Sequence, residues 1–199
     1  MGLFNTLLGR TKPVQSNLDA LFALPSASIT LQSAAGMSCS GHSGVCFKPP
    51  SGQGFEEMQA EVVTLLSMDG GTGIRTAEDR YGFHWLVVDD TDIEEMVTRI
   101  HLVNSSLADA GWGPQLLCSL FGLASLPAAD TRPGPGQLLP STAYLVYLFK
   151  RGTFYPFVPI GHEKRDIERE LKLKSLVSDD LTIEPDLDRW FPLWDLPVI

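Results

Sequence analysis

The clearest pattern in the chain runs from residue 93 to 107. There Ile93, Met96, Val97, Ile100, Val103 and Leu107 recur every three or four positions with polar residues between them. That period puts the apolar side chains on one stripe and predicts a helix packed on a core. Thr91 and Glu94 fit a capping box at its start, and Gly111 fits a C-terminal stop. Phe55, Met58, Val62, Leu65 and Leu66 repeat the spacing and predict a second helix, ended by Gly70-Gly71. Asn17 can cap a short helix over LDALFAL, which Pro25 would stop. A charged helix is expected over 162–177, carrying Ile167, Leu171 and Leu176.

Between these segments the apolar residues are β-branched or aromatic and come in shorter runs. FHWLVV (83–88), LLCSLFGLA (116–124) and AYLVYLFK (143–150) predict buried strands, with SITL (28–31) and VCFK (45–48) as shorter ones. TFYPFVP (153–159) adds another, with Pro156 allowed at an edge or bulge. The Pro- and Gly-rich stretch around 125–141 is too long for a tight turn and is expected to be a mobile loop. The tail EPDLDRWFPLWDLP, broken by prolines, reads as extended or irregular. These elements predict one α+β domain over residues 17–199: a mainly antiparallel sheet of about five or six strands with helices chiefly on one face. Residues 1–16 form an N-terminal segment that reads as a short amphipathic helix, with Leu3, Phe4, Leu7 and Leu8 on one side.

Composition narrows the class. With 199 residues, 44% hydrophobic and 20% charged, the chain is globular rather than disordered. A net charge of −9 makes nucleic acid and anionic lipid poor default partners. An odd count of three cysteines, with no signal-peptide pattern in MGLFNTLLGRTK, points to a reducing, cytoplasmic compartment. LLCSLFGLASL is too short to span a bilayer, so any membrane contact is expected to be peripheral, at the inner face.

Candidate chemistry is sparse. In CSGHSGVC (39–46), Cys39, His42 and Cys46 have a spacing zinc could use, but a fourth ligand is missing nearby. Gly41-His42-Ser43-Gly44 is a fragment of a hydrolase elbow without its final Gly. The simpler reading is a loop, with Cys46 in the core of the strand that follows. Asp89, Asp90, Asp92, Glu94 and Glu95 could attract a cation, yet carboxylates in a first helical turn already favour the helix dipole. Asp69–Gly73 lacks the lysine of a phosphate loop. His84 alternates with Phe83 and Trp85 and should face water or an interface, while His42, His101 and His162 read as loop or surface residues. MGLFNT matches a myristoylation pattern.

No complete catalytic set, metal set or cofactor motif emerges, so the expectation is a non-enzymatic interaction protein. Two alternatives stay open: a metal- or cysteine-dependent enzyme using Cys39, His42 and Cys46, and a peripheral membrane module acting through residues 2–12. The segments most suited to partner binding are aromatic and basic: Lys150, Arg151, Phe154, Tyr155 and Phe157, then Trp190, Phe191 and Trp194. Residues 150–174 hold seven Lys/Arg against four Asp/Glu, a basic region in an acidic chain that could dock an acidic partner. Ion pairs Glu168–Lys172 and Glu170–Lys174 at helical spacing would look similar.

LLGRTKPVQSNLDALFALPSA, YGFHWLV, VNSSLADAGWGPQLLCSLFG, YLVYLFKRGTFYPFVP and EPDLDRWFPLWDLP together resemble the PspAB family, the PspA-associated proteins of actinobacteria. The likeness covers nearly the whole chain. It implies a cytoplasmic accessory of a phage-shock-type envelope-stress response, working with PspA or a membrane metalloprotease of the HtpX type. It carries over no catalytic residue. In a bacterial source the myristoylation match would be coincidence.

Overall fold

Along Thr142–Leu148, Ala143, Leu145 and Tyr147 point to one side and Tyr144 and Val146 to the other, and all are buried. A strand buried on both faces belongs inside a sheet covered on both faces. A computed structural model, which describes residues 16–68, 74–125 and 142–197, shows that sheet. Its strands are β1 (Met37–Phe47), β2 (Ile74–Glu78), β3 (His84–Asp89), β4 (Leu116–Ser125), β5 (Thr142–Leu148) and β6 (Thr153–Phe157). They lie in the order β2-β3-β1-β4-β5-β6, and every neighbouring pair is antiparallel. The chain is a single α+β domain, as the sequence predicts.

Four helices cover one face: α1 (Leu24–Ala35), α2 (Gln53–Met68), α3 (Ile93–Leu107) and α4 (Ile167–Val177). Leu31 of α1, Met58 and Val62 of α2, the α3 stripe and Val177 of α4 share one core with Val45, Leu86, Phe121, Leu145 and Phe154 of the sheet. Among the described residues the opposite face carries no α-helix. An extended C-terminal strap, 183–197, crosses it instead. Trp190 and Leu196 are buried there with Trp85, Val87, Leu120, Val146 and Tyr155. The strap is pinned at both edges of the sheet. At β6, Phe154 N–H donates to Thr182 O and Glu184 N–H donates to Phe154 O, 2.8 Å each. At the β2 side, Arg80 N–H donates to Asp195 Oδ2 (3.0 Å) and Arg75 Nη2 donates to Pro197 O (3.0 Å). The first pair of bonds also closes part of the open edge that β6 would offer.

The structure corrects several local expectations. Pro25 does not stop a helix: a 3-10 turn at Leu18–Ala23 runs into α1, and Pro25 sits in the first turn, where no N–H is required. SITL therefore lies inside α1 and is not a strand. Residues 39–44, expected as a loop, belong to the long central strand β1. There Ser40, Gly41 and His42 bulge opposite Gly122, between the pairs Cys39–Leu123 and Ser43–Phe121. A Cβ at Gly122 would come within 2.3 Å of Ser40 Oγ and 3.1 Å of His42 O, so the bulge needs glycine there. β2 gave no sequence signal because its outward positions are polar. α4 starts at Ile167 rather than 162, and its inner face is Glu170, Leu173 and Val177, leaving Ile167 and Leu171 exposed. The loop expected near 125–141, the phosphate-loop candidate 69–73, the Gly70-Gly71 stop and the amphipathic segment within residues 1–15 lie outside the described residues, apart from the loop's first residue, Ser125, which ends β4.

Candidate functional site

On the face opposite the four α-helices, strap and sheet separate to leave a cavity of about 560 Å³. It lies at the end of the sheet that holds the β2–β3 and β5–β6 turns. Its floor is Cys46, Trp85, Cys118, Leu148 and Tyr155; Leu193 and Trp194 of the strap roof it; Lys150, Arg151, Arg189 and Phe191 complete the lining. The alternation of the strands puts these residues there. Cys46 stands directly opposite Cys118, and Leu117 is the extra residue where β4 bulges between Cys118 and Leu116.

Buried carboxylates organise the walls. Asp79 accepts from Tyr81 N–H (2.9 Å), Phe83 N–H (3.0 Å) and Trp85 Nε1–H (3.0 Å), which shapes the β2–β3 turn and fixes the Trp85 ring. Glu184 is 0% exposed and accepts from Arg151 Nε (2.9 Å), Arg151 Nη2 (3.2 Å) and Thr153 Oγ (2.7 Å). Burial alone would raise its pKa, but these donors outweigh burial and hold it below the ordinary Glu value. Glu170, also 0% exposed, accepts from Arg165 Nε (2.9 Å) and Val158 N–H (2.9 Å). Arg165 in turn reaches Trp190 O and lies over the Phe157 ring, 5.3 Å from its centre. Glu170 faces inward, so its partner is Arg165 and not Lys174, the pairing that helical spacing alone would allow.

The aromatic residues expected as a contact surface divide sharply. Phe154 is fully buried on the helical face, in a tilted pair with Tyr147 at 5.1 Å. Tyr155 and Phe157 are buried on the other face, and Trp190 stacks on Tyr155 at 5.9 Å with only 5% of its surface exposed. Tyr155 Oη–H donates to Phe191 O (2.8 Å), and Trp190 Nε1–H donates to Glu184 O (3.1 Å). These four side chains are interior residues of this fold. Trp194 is half-buried, edge-on to Phe157 at 5.3 Å. What stays outside, around the mouth of the cavity, is Lys150, Arg151 and Phe191, the last 58% exposed. The structure therefore brings Lys150, Arg151, Tyr155, Phe191 and Trp194 together at one cavity and removes Phe154 to the far side of the sheet. The cavity itself is the feature sequence reasoning missed. Its one available sign was the run of apolar residues at alternate strand positions, which needed a cover that no predicted helix supplied.

The alternative centre at Cys39, His42 and Cys46 does not assemble. Cys39 packs on the helical core with its Sγ 3.7 Å from Met96 Sδ, whereas Cys46 lines the opposite face. His42 Nδ1 is 2.8 Å from Asp89 Oδ1, in an ion-pair geometry that Arg75 joins at 3.6 Å. Burial pushes the Cys39 thiol up, and the hydrogen-bonded Cys118 thiol together with burial pushes Cys46 up. Both stay protonated, which does not suit a thiolate nucleophile. Among the described residues no group of three or more His, Cys, Asp or Glu is gathered as metal ligands would be. The acidic run is spent locally. Asp92 caps α3 by accepting from Glu94 N–H (2.8 Å) and Glu95 N–H (3.3 Å), taking the role expected of Thr91, and Asp90 faces Arg99 at 3.5 Å. His84 sits half-buried between the Phe47 and Phe55 rings, 5.8 Å from each. Among the described residues no helix is long and apolar enough to cross a membrane.

No curated protein and no solved structure matches this chain. A family model described as PspA associated protein B matches residues 1–198. The chain therefore belongs to the PspAB family.

Proposed function

We propose that the chain is a non-enzymatic accessory of a PspA-type envelope-stress response that works by binding PspA. The observation that carries this reading is the family match over residues 1–198, whose description names association with PspA. The chemistry of residues 39–46 is consistent with it, since the thiols lie on opposite faces and are held protonated. The contact we assign is the rim of the cavity, where exposed Phe191 stands beside Lys150 and Arg151. An exposed aromatic ring flanked by cations suits an acidic surface with an apolar recess.

The test is capture of purified PspA by the immobilised full chain, with an HtpX-type membrane protease as a parallel arm. Phe191→Ala and Lys150→Glu touch no core packing and should each weaken PspA capture by about tenfold, given what hot-spot truncations cost. Arg151 is a poorer choice because it also satisfies buried Glu184. Failure to retain PspA at micromolar concentration would defeat the proposal, as would capture of the protease alone.

A further inference from the structure

We infer that the cavity beneath the C-terminal strap is a binding site for a single-chain amphiphile with one anionic head, its acyl tail lying on the sheet and its head at Lys150. The volume, about 560 Å³, falls in the range of pockets that enclose small ligands. The lining is apolar, and its polar atoms are largely spent on the wall itself. The Trp85 indole N–H is taken by Asp79 and the Tyr155 hydroxyl by Phe191 O. Asp79 has both oxygens occupied, one by the N–H groups of its own turn and the other by the Trp85 indole of β3. Cys46 is held as a neutral thiol facing Cys118, so that part of the floor behaves as a small apolar surface. A flexible hydrocarbon chain is the ligand such a surface accepts.

Charge at the mouth selects the head. Arg151 is matched by Glu184 and Arg189 by Asp186, at 2.9 and 3.0 Å. Lys150 donates to the neutral Pro114 carbonyl at 2.8 Å, and among the described residues no carboxylate lies within ion-pair distance of it. One unmatched cation therefore sits at the entrance of an apolar cavity, in a chain whose net charge is −9. That is local complementarity to one anionic group, set against an overall field that repels anionic membranes. A carboxylate of a free fatty acid and the phosphate of a monoacyl lipid share this chemistry.

The site shares Lys150 at its mouth with the rim assigned to PspA, but it does not rest on that assignment: its test uses the purified full chain with no PspA present, so either reading can fail without the other. Dodecanoate and a monoacyl phosphatidate of the same chain length, each carrying bromine on the tail, are titrated while tryptophan emission is followed. Trp85 and Trp194 line the cavity, so saturable quenching is expected. Affinity should rise about tenfold for every two carbons added to the tail. Lys150→Glu should weaken both anions about tenfold while leaving dodecanol unchanged. Leu117→Phe and Leu148→Phe, each narrowing the cavity from a different strand, should abolish quenching in whichever variant keeps the native circular dichroism. The relative affinities of the two heads then identify the source. Quenching that never saturates, that ignores tail length, or that persists unchanged in a folded narrowing variant would overturn the inference. So would absence of quenching by both amphiphiles.

Discussion

At the scale of single residues, the buried carboxylates carry the most weight. Glu170 and Glu184 are sealed from water and rely on Arg165 and Arg151. Removing one partner leaves an unpaired buried charge, whereas replacing both with apolar groups costs much less. Arg165→Met is therefore expected to lose about 3–5 kcal/mol in urea unfolding, and the double variant Arg165→Met/Glu170→Leu to recover most of it. A single variant within about 1 kcal/mol of the parent would show that water reaches Glu170. Acid provides a second reading. Glu184 is held below its ordinary value by its donors against burial, and Asp180 is lowered by Thr30 and Ser26, which donate at 2.7 Å each. A folded-state pKa below the unfolded one means that the unfolded chain binds more protons in between. The stabilisation is complete above about pH 4.3, the usual Glu value, and is lost as pH falls through the folded-state values. Glu184→Gln should flatten that acid limb in denaturation measured from neutral to low pH. An unchanged slope would remove Glu184 from the account.

Elements show how little separates a correct boundary from a wrong one. α3 is legible because its stripe has a strict helical period, yet its cap is Asp92 and not Thr91. Asp92→Ala should cost about 1 kcal/mol in thermal or urea unfolding and Thr91→Ala much less, since only Asp92 accepts from the first-turn N–H groups. Equal effects would mean that the box expected from Thr91 and Glu94 forms in solution. β1 makes the converse point. CSGHSGVC resembles a loop in composition, but a central strand between β3 and β4 gains its order from ladder bonds on both sides. Small residues are tolerated there because the bulge and Gly122 approach so closely. Gly122→Ala should destabilise the fold by about 1–3 kcal/mol, as overpacking does. Ser40→Gly in the same background should restore part of the loss by removing the 2.3 Å contact but not the approach to His42 O.

At the scale of the whole molecule, an asymmetric covering dominates: four helices on one face, and one strap on the other. A chain ending at Glu184 loses Trp190, Leu193, Trp194 and Leu196 and exposes a sheet face of aromatic and β-branched side chains. It is expected to bind a hydrophobic dye and to unfold at a clearly lower temperature than the full chain. A shift of less than about 2 °C would show that the strap adds no net cover. The α+β class, the α2 and α3 faces, β3, β4 and β5 could all be read from periodicity, because each is a local pattern that repeats along its own segment; Pro156 allowed an edge or a bulge, and only the sheet order placed it on the edge strand. Family membership was legible in the same way, from long stretches of residues rather than from any site. Tertiary structure alone decided the rest. Whether Phe154, Tyr155 and Trp190 lie inside or outside depends on which sheet face each strand residue meets and on what crosses that face, and no local period encodes either. The inward Glu170, the separation of Cys39 from Cys46, and the cavity with Lys150 at its mouth are likewise products of residues far apart in the chain meeting in space.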